Sequence, residues 1–397
     1  MLSRCRISNS FASRMRQFSL PPVFKEHNFY MEGKVLIPII RSMTSSPISI
    51  PMPWGRVEVM LSRFRKLYFL TNHMRHYSIS NNLKEHKFLT NNKASVPVFR
   101  FITSSSISIP VPWGSVEGKT WGKSDNAPVL VAHGRHDNCG TFDPLIPMLP
   151  QEYFYICFDL PGHGKSSPFP AGTPLKFFDY VLTMKRVVDY FSLKEVTCLG
   201  HSLGANASFY LAAIYPELVK KLIGLEIVTV GSVETHQIAS WYREQFDQLL
   251  NIEKKLANQS PPSYSYTEAA CRMKYNRWNS ELTDEACSIL LKRSLVSIDS
   301  GFYFSTDQRC KMNDWPVLNC DQQISVFKQI KCPILLVLAD NTERNSWAKD
   351  PIFQPVYNYF KTEALNASVI IVSGNHDVHL NHPERVSPYV RSFLSNT

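Results

Sequence analysis

The chain has 397 residues, is 44% hydrophobic and carries 43 Lys and Arg against 33 Asp and Glu, enough apolar residues for a large core. Its net charge of +10 is local: residues 1–119 hold 17 basic residues against 5 Glu and no Asp, leaving 26 against 28 in the rest. That near-neutral body excludes a nucleic-acid-binding face, and no apolar run is long enough for a membrane-spanning helix.

The N-terminal third is written twice. Residues 2–60 and 61–119 align without a gap at an offset of 59, with 26 of 59 pairs identical. Ile48-Ser49-Ile50-Pro51-Met52-Pro53-Trp54-Gly55 matches Ile107-Ser108-Ile109-Pro110-Val111-Pro112-Trp113-Gly114. Two copies are too few for a solenoid and suit a duplicated first exon, or two alternative first exons joined in one transcript. Each copy opens like a mitochondrial transit segment: basic, serine-containing and free of acid, with Arg16-Gln17-Phe18-Ser19 and Arg75-His76-Tyr77-Ser78 resembling matrix-protease sites. The competing reading is a basic tail with no address, in a cytoplasmic or peroxisomal protein. Residues 1–60 and 61–104 are therefore expected to be leader and linker, mostly disordered. Ile107–Trp121 is predicted to form the first hairpin of the body, and Ile48–Glu58, with no free slot in the sheet, to be loose or to compete at an edge.

From there strands and helices alternate. Pro128–Ala132 and Tyr153–Phe158 read as buried strands, 176–192 as a helix, Glu195–Leu199 as a strand, Ala205–Tyr215 as a helix and Lys221–Val228 as a strand. Residues 232–318 break the rhythm. They look helical and amphipathic and lack strand runs, so they are expected to form a helical cap. Strands at Cys332–Ala339 and Ser368–Val372 and a helix at Pro383–Leu394 close the chain. Alternation of this kind predicts an α/β fold, a mostly parallel sheet with helices on both faces. The core would span 105–231 and 319–397. Nine cysteines, odd in number and without metal-ligand spacing, read as reduced residues, Cys157, Cys198 and Cys332 among them in strand-like runs. No metal or cofactor is expected.

The centre of this pattern is Gly200-His201-Ser202-Leu203-Gly204, between a strand and a helix. Gly-x-Ser-x-Gly in that setting is a nucleophile elbow: the serine sits on a strained turn at a helix N-terminus, and the flanking glycines avoid collision with neighbouring backbone. A serine hydroxyl is a weak nucleophile and needs a base within reach.

His133-Gly134, Asp159-Leu160-Pro161-Gly162-His163-Gly164-Lys165-Ser166, the elbow, a helical insert and Gly374-Asn375-His376 occur in the order of the α/β-hydrolase superfamily, which the chain resembles over 105–397. Ile109–Gly114, His133–Pro147 and Asp307-Gln308-Arg309 resemble the serine hydrolase-like proteins within it, with a departure at Arg135, where related sequences often carry an aromatic. The resemblance implies Ser202 as nucleophile and His376 as base, with His379 and His382 as nearby rivals. It also implies an oxyanion hole from the backbone N–H groups of Leu203 and Arg135, the Arg135 side chain being free to rim the pocket. His133 and His163 read as loop-shaping residues.

The acid stays open. The usual place past the seventh strand falls on Thr342, with Asp340 two residues early and Glu343 one late; the alternative place past the sixth strand holds Glu226. An acid there is costly to bury without a partner such as His376, which favours Glu226 over Asp340. Trp241, Tyr242, Phe246 and Phe302 are candidates to line an acyl pocket, against the plainer reading of cap core. The expected function is a serine hydrolase cleaving an ester, thioester or related acyl bond of a small hydrophobic substrate. The alternative is a hydrolase-fold binding or interaction protein with weak or no catalysis.

Overall fold

The computed structural model describes residues 48–52, 55–59, 103–258, 260–278, 280–312 and 315–396. The transit-like openings lie outside the described residues. The chain divides into two units, 1–94 and 95–397, and each is described by itself.

In the first unit, β1 (Ile48–Met52) and β2 (Gly55–Val59) pair as an antiparallel hairpin, a two-stranded sheet of its own. In the second unit, β3 (Ser105–Val111) and β4 (Gly114–Trp121) form the same hairpin. The register is identical at the 59-residue offset: Ile48 faces Val59 as Ile107 faces Gly118, and Met52 faces Gly55 as Val111 faces Gly114. The expectation that Ile48–Glu58 is loose or competes at an edge is thus corrected: the two strands pair with each other. A strand pair with its own turn satisfies its inner hydrogen bonds without joining another sheet.

The second unit is built on eight strands in the order β12-β11-β8-β7-β5-β6-β4-β3. The remaining members are β5 (Ala127–Ala132), β6 (Tyr153–Phe158), β7 (Val196–His201), β8 (Val219–Leu225), β11 (Ile334–Ala339) and β12 (Ala367–Val372). These six run parallel, and β4 joins β6 antiparallel. β8 stops at Leu225, three residues short of the strand predicted from the apolar run, so Glu226 is the first residue beyond it.

Strand side chains alternate between two apolar layers. Leu130, Ile156, Leu222 and Leu336 pack under α1 (Phe177–Tyr190) and α2 (Leu203–Ile214). Val131, Tyr155, Ile223 and Val337 pack on the other face, against the C-terminal helix Pro383–Ser395. Cys157, Cys198 and Cys332 are buried free thiols of these strands and their ends.

Between β8 and β11 the chain leaves the sheet. It forms α3 (Ile238–Asn258), α4 (Tyr266–Tyr275), α5 (Asp284–Ser294) and α6 (Cys320–Phe327). It also forms a hairpin, β9 (Leu295–Ile298) and β10 (Gly301–Phe304), which corrects the expectation of a strand-free insertion. Ala269, Met273, Leu282, Ala286, Leu290 and Leu291 give it a small core that meets Leu380. Among the described residues no helix is long and apolar enough to cross a membrane.

Candidate active site

β7 and β8 pair through His201 and Leu225, so Ser202 and Glu226 emerge together as the next residues of adjacent strands. Both have left-handed backbones, φ 49° at Ser202 and 57° at Glu226. Such a conformation costs a non-glycine residue about 1–3 kcal/mol and persists where the surroundings enforce it. Here they do. Ser202 N–H donates to the Leu225 carbonyl at 3.0 Å, and Glu226 N–H donates to the Val337 carbonyl at 2.9 Å. The glycines either side of the serine are forced: a Cβ at 200 would lie 2.4 Å from Ala205 backbone, and one at 204 would lie 2.3 Å from the Ala132 carbonyl oxygen. Ser202 is half-buried at the head of α2 and makes no side-chain capping bond to it.

Glu226 is fully buried, and both carboxylate oxygens are engaged. Oε1 accepts from the Ala339 N–H, and Oε2 stands 3.2 Å from His376 Nδ1. A carboxylate accepts, so the shared proton belongs on Nδ1 and Nε2 keeps its lone pair. Asp340, the first residue beyond β11, turns elsewhere. Its Oδ1 accepts from the Gly374 N–H at 3.0 Å and its Oδ2 pairs with Arg344 at 3.2 Å. It braces the loop that carries His376 instead of meeting the ring. Glu343, one residue past Thr342, accepts from the Tyr357 hydroxyl at 2.6 Å.

The other histidines separate by environment. His379 is buried, 2.9 Å from Thr141 Oγ1, and burial holds its pKa well below the ordinary value. His382 sits beside Glu384 at 3.3 Å, partly exposed. His133 Nε2 accepts from the Leu160 N–H at 2.8 Å, tying the end of β5 to the loop after β6. His163 is buried beside the Pro161 carbonyl, 3.1 Å away. Burial lowers the pKa of both.

Leu203 opens α2, where the first N–H groups have no intrahelical acceptor. Arg135 follows Gly134, and a Cβ on Gly134 would lie 2.6 Å from His201 Nδ1, so that turn presses on the residue before the serine. The Arg135 guanidinium donates to the carbonyls of Cys310 (3.0 Å) and Met312 (2.5 Å). It holds the 310–312 segment.

The aromatic candidates scatter. Trp241, Tyr242 and Phe246 stack along α3, with Tyr242 42% and Phe246 58% exposed, and the buried residue of that helix is Gln245. Phe302 pairs across to Tyr264 and packs on Tyr266 within the insertion. None of the four has a ring contact with His376. The aromatic that does is Trp278, whose ring stands edge-on to His376 at 4.7 Å between centroids, with Trp347 at 5.7 Å behind it. Sequence reasoning passed over Trp278, because it lies in a non-periodic turn of the insertion.

It also passed over a buried charge cluster beside His376. Arg277 Nη2 donates to Asp137 Oδ1 at 2.7 Å and to Asp377 Oδ1 at 2.5 Å, and Nε donates to Asp377 Oδ2 at 2.7 Å. Asp137 Oδ2 lies 3.4 Å from His201 Nδ1, an ionic contact longer than a good hydrogen bond. His201 Nε2–H donates to the His376 carbonyl at 2.9 Å. With acceptors on both sides, the doubly protonated ring fits this place. Burial opposes that charge, but Asp137 and then Asp377 outweigh it and raise the His201 pKa. Burial likewise pushes the carboxyls up, yet Arg277 outweighs it, holding Asp137 well below the usual range and Asp377 at about 2. A signal was present at three members: Asp137 closes the His-Gly motif, His201 precedes Ser202, and Asp377 follows His376.

Two surface hollows lie along α3, by Ser240, Arg243 and Asp247, and beside β12, by Ile371 and Tyr389; Ser202, Glu226 and His376 line neither of these two.

Comparison with known proteins agrees with the fold. The alpha/beta hydrolase fold family matches residues 127–254. The zebrafish (Danio rerio) serine hydrolase-like protein is 33% identical over 292 residues, covering 73% of this chain and 88% of that one. Human serine hydrolase-like protein 2 is 29% identical over 301 residues, covering 74% of this chain and 95% of that one. Among solved structures, the hypothetical protein PA1622 of Pseudomonas aeruginosa PAO1 superimposes with a TM-score of 0.65 at 23% identity, over 73% of this chain and 99% of that one. The thioesterase domain of the curacin biosynthetic pathway superimposes with a TM-score of 0.60 at 20% identity, over 72% of this chain and 99% of that one. At such identities these two likenesses are of fold.

Proposed function

The chain belongs to the serine hydrolase-like family of the α/β-hydrolase fold, and from that premise we propose that it is a serine hydrolase acting on an ester, thioester or related acyl bond. The observation that carries the reading is the buried Glu226 carboxylate 3.2 Å from His376 Nδ1, one strand position across from Ser202.

In this reading His376 Nε2 takes the proton of Ser202 as its oxygen attacks the acyl carbonyl. Glu226 holds the Nδ1 proton and balances the imidazolium. The N–H groups of Leu203 and Arg135 receive the oxyanion, and the helix dipole of α2 adds to them. Collapse expels the leaving group with the proton from His376, giving an acyl-serine. Water, deprotonated by His376, then releases the acid and frees Ser202. The substrate is a small hydrophobic acyl compound, with Trp278 as the aromatic wall nearest the base.

A fluorophosphonate probe tests this directly. Wild type should be labelled and Ser202→Ala should not. Labelling that survives Ser202→Ala removes Ser202 from the chemistry, and a wild type inert to the probe and to short acyl esters removes the hydrolase reading.

A further inference from the structure

Resting on that reading, we propose that Arg277 is a positioning residue: beside the Glu281 carbonyl, which accepts from Asn375 Nδ2 at 3.2 Å and Asn381 Nδ2 at 2.9 Å, it is the charged clamp by which the insertion fixes the backbone of the His376 loop, so that the base is aligned while the insertion is seated. Arg277 belongs to the insertion, just beyond α4, and its partners belong to the sheet core. Its side chain is 9% exposed and both partner carboxylates are fully buried.

Two routes run from this one guanidinium to the base. The first is direct: the fork of Arg277 grips Asp377, the residue that follows His376. The second passes through Asp137, which faces His201, which in turn donates to the carbonyl of His376 itself. Glu226 therefore holds the ring of the base, and Arg277 holds its frame. The neighbouring Trp278 ring stands nearly perpendicular to that of His376, so two successive residues of the insertion contact the loop and the ring.

The insertion does not depend on Arg277 alone to stay attached. Arg293 on α5 pairs with the buried Asp159 at 2.6 Å, and Asn138 donates to the Leu290 carbonyl and to Ser294 Oγ, each at 2.9 Å. These anchors engage the loops after β5 and β6 and do not touch the His376 loop. A planar fork bridging two carboxylates is a geometry that Lys cannot reproduce.

The test compares full-length wild type, Arg277→Met, Arg277→Lys and Arg293→Met. Each is assayed on a short acyl ester, and the His376 ring is followed by carbon-edited histidine NMR, assigned with His376→Gln. Arg277→Met is expected to lose roughly 10- to 100-fold in kcat through misplacement of the base. Its KM should move less than about 3-fold, as for a group that acts on the reacting geometry and not on binding. Its His376 resonance should leave the wild-type position, and Arg277→Lys should recover part of kcat. Arg293→Met cuts an equally buried anchor and should leave the His376 resonance in place. Should Arg277→Met fail to fold, Arg277→Lys is read by the same two measurements. A His376 resonance unmoved by loss of the Arg277 fork overturns the clamp, and so does one displaced equally by Arg293→Met. The NMR measurement needs no turnover, so a wild type inert to ester and probe would sink the hydrolase reading alone.

Discussion

Glu226 and His376 stand 150 residues apart in the chain, and their side chains meet at 3.2 Å inside the protein. The contact exists because β8 lies between β7, which presents Ser202, and β11, whose Ala339 N–H takes the other oxygen of Glu226. The carboxylate is thus held from one side and faces the imidazole with the other.

From this follows a sharp separation of the two acids. Glu226→Gln should cut kcat by roughly 1,000- to 10,000-fold, since an amide can donate to Nδ1 and so favour the wrong tautomer. Asp340→Asn keeps an oxygen that accepts from the Gly374 N–H and loses only the charge facing Arg344, so it should cost less than about 10-fold. Steady-state kinetics on one acyl ester, with probe-labelling rates alongside, decide between them. A larger loss from Asp340→Asn would reverse the assignment.

Trp278 is 48% exposed beside His376, which gives a bulky acyl group an aromatic surface to lie on. Trp278→Ala should lower kcat/KM for a hexanoyl ester about 10-fold more than for the acetyl ester. An equal loss on both would take Trp278 out of substrate selection.

Gly204 has no room for a methyl group, because the obstacle is the Ala132 carbonyl, which is backbone and cannot rotate away. Gly204→Ala should destabilise the fold by about 1–3 kcal/mol and abolish probe labelling even in the folded fraction. Chemical denaturation and labelling of the same sample check both. Labelling at the wild-type rate would show that the elbow tolerates the change.

Stability should fall on the acid side in two stages. His133, His163 and His379 have pKa values lowered by burial. Below about pH 6.5 the unfolded chain therefore binds protons that the folded chain refuses, and stability drops as pH falls. Three such groups give a slope of roughly 4 kcal/mol per pH unit when all act together. Asp377, lowered to about 2, adds a loss only below about pH 4. His201 is raised, so its contribution is complete below about pH 6.5 and is lost as pH climbs through its folded value. Denaturation midpoints from pH 8 to pH 4 should show the first stage. A flat profile between pH 6.5 and pH 5 would contradict the buried neutral histidines.

The sequence by itself determined the α/β alternation, the position of Ser202 and the first hairpin of the body, while the pairing of residues 48–59 into the same hairpin came from the structure. These rest on local rules: apolar runs make buried strands, glycine alone tolerates the close approaches at 200 and 204, and a repeat of Ile-Ser-Ile-Pro with Trp-Gly makes the same turn twice. Glu226 and Asp340 are each the first residue past a parallel strand, and the sequence favoured Glu226 only through the cost of burying an acid in an apolar run. Only the lateral order of β7, β8 and β11, together with the left-handed turn at Glu226, decided which carboxylate meets His376. Arg277 and Trp278 were beyond sequence patterning altogether. They sit in a short irregular turn, and their meaning comes from distant partners, 100 and 140 residues away for Arg277 and 98 for Trp278 on His376, brought together where the insertion packs on the sheet.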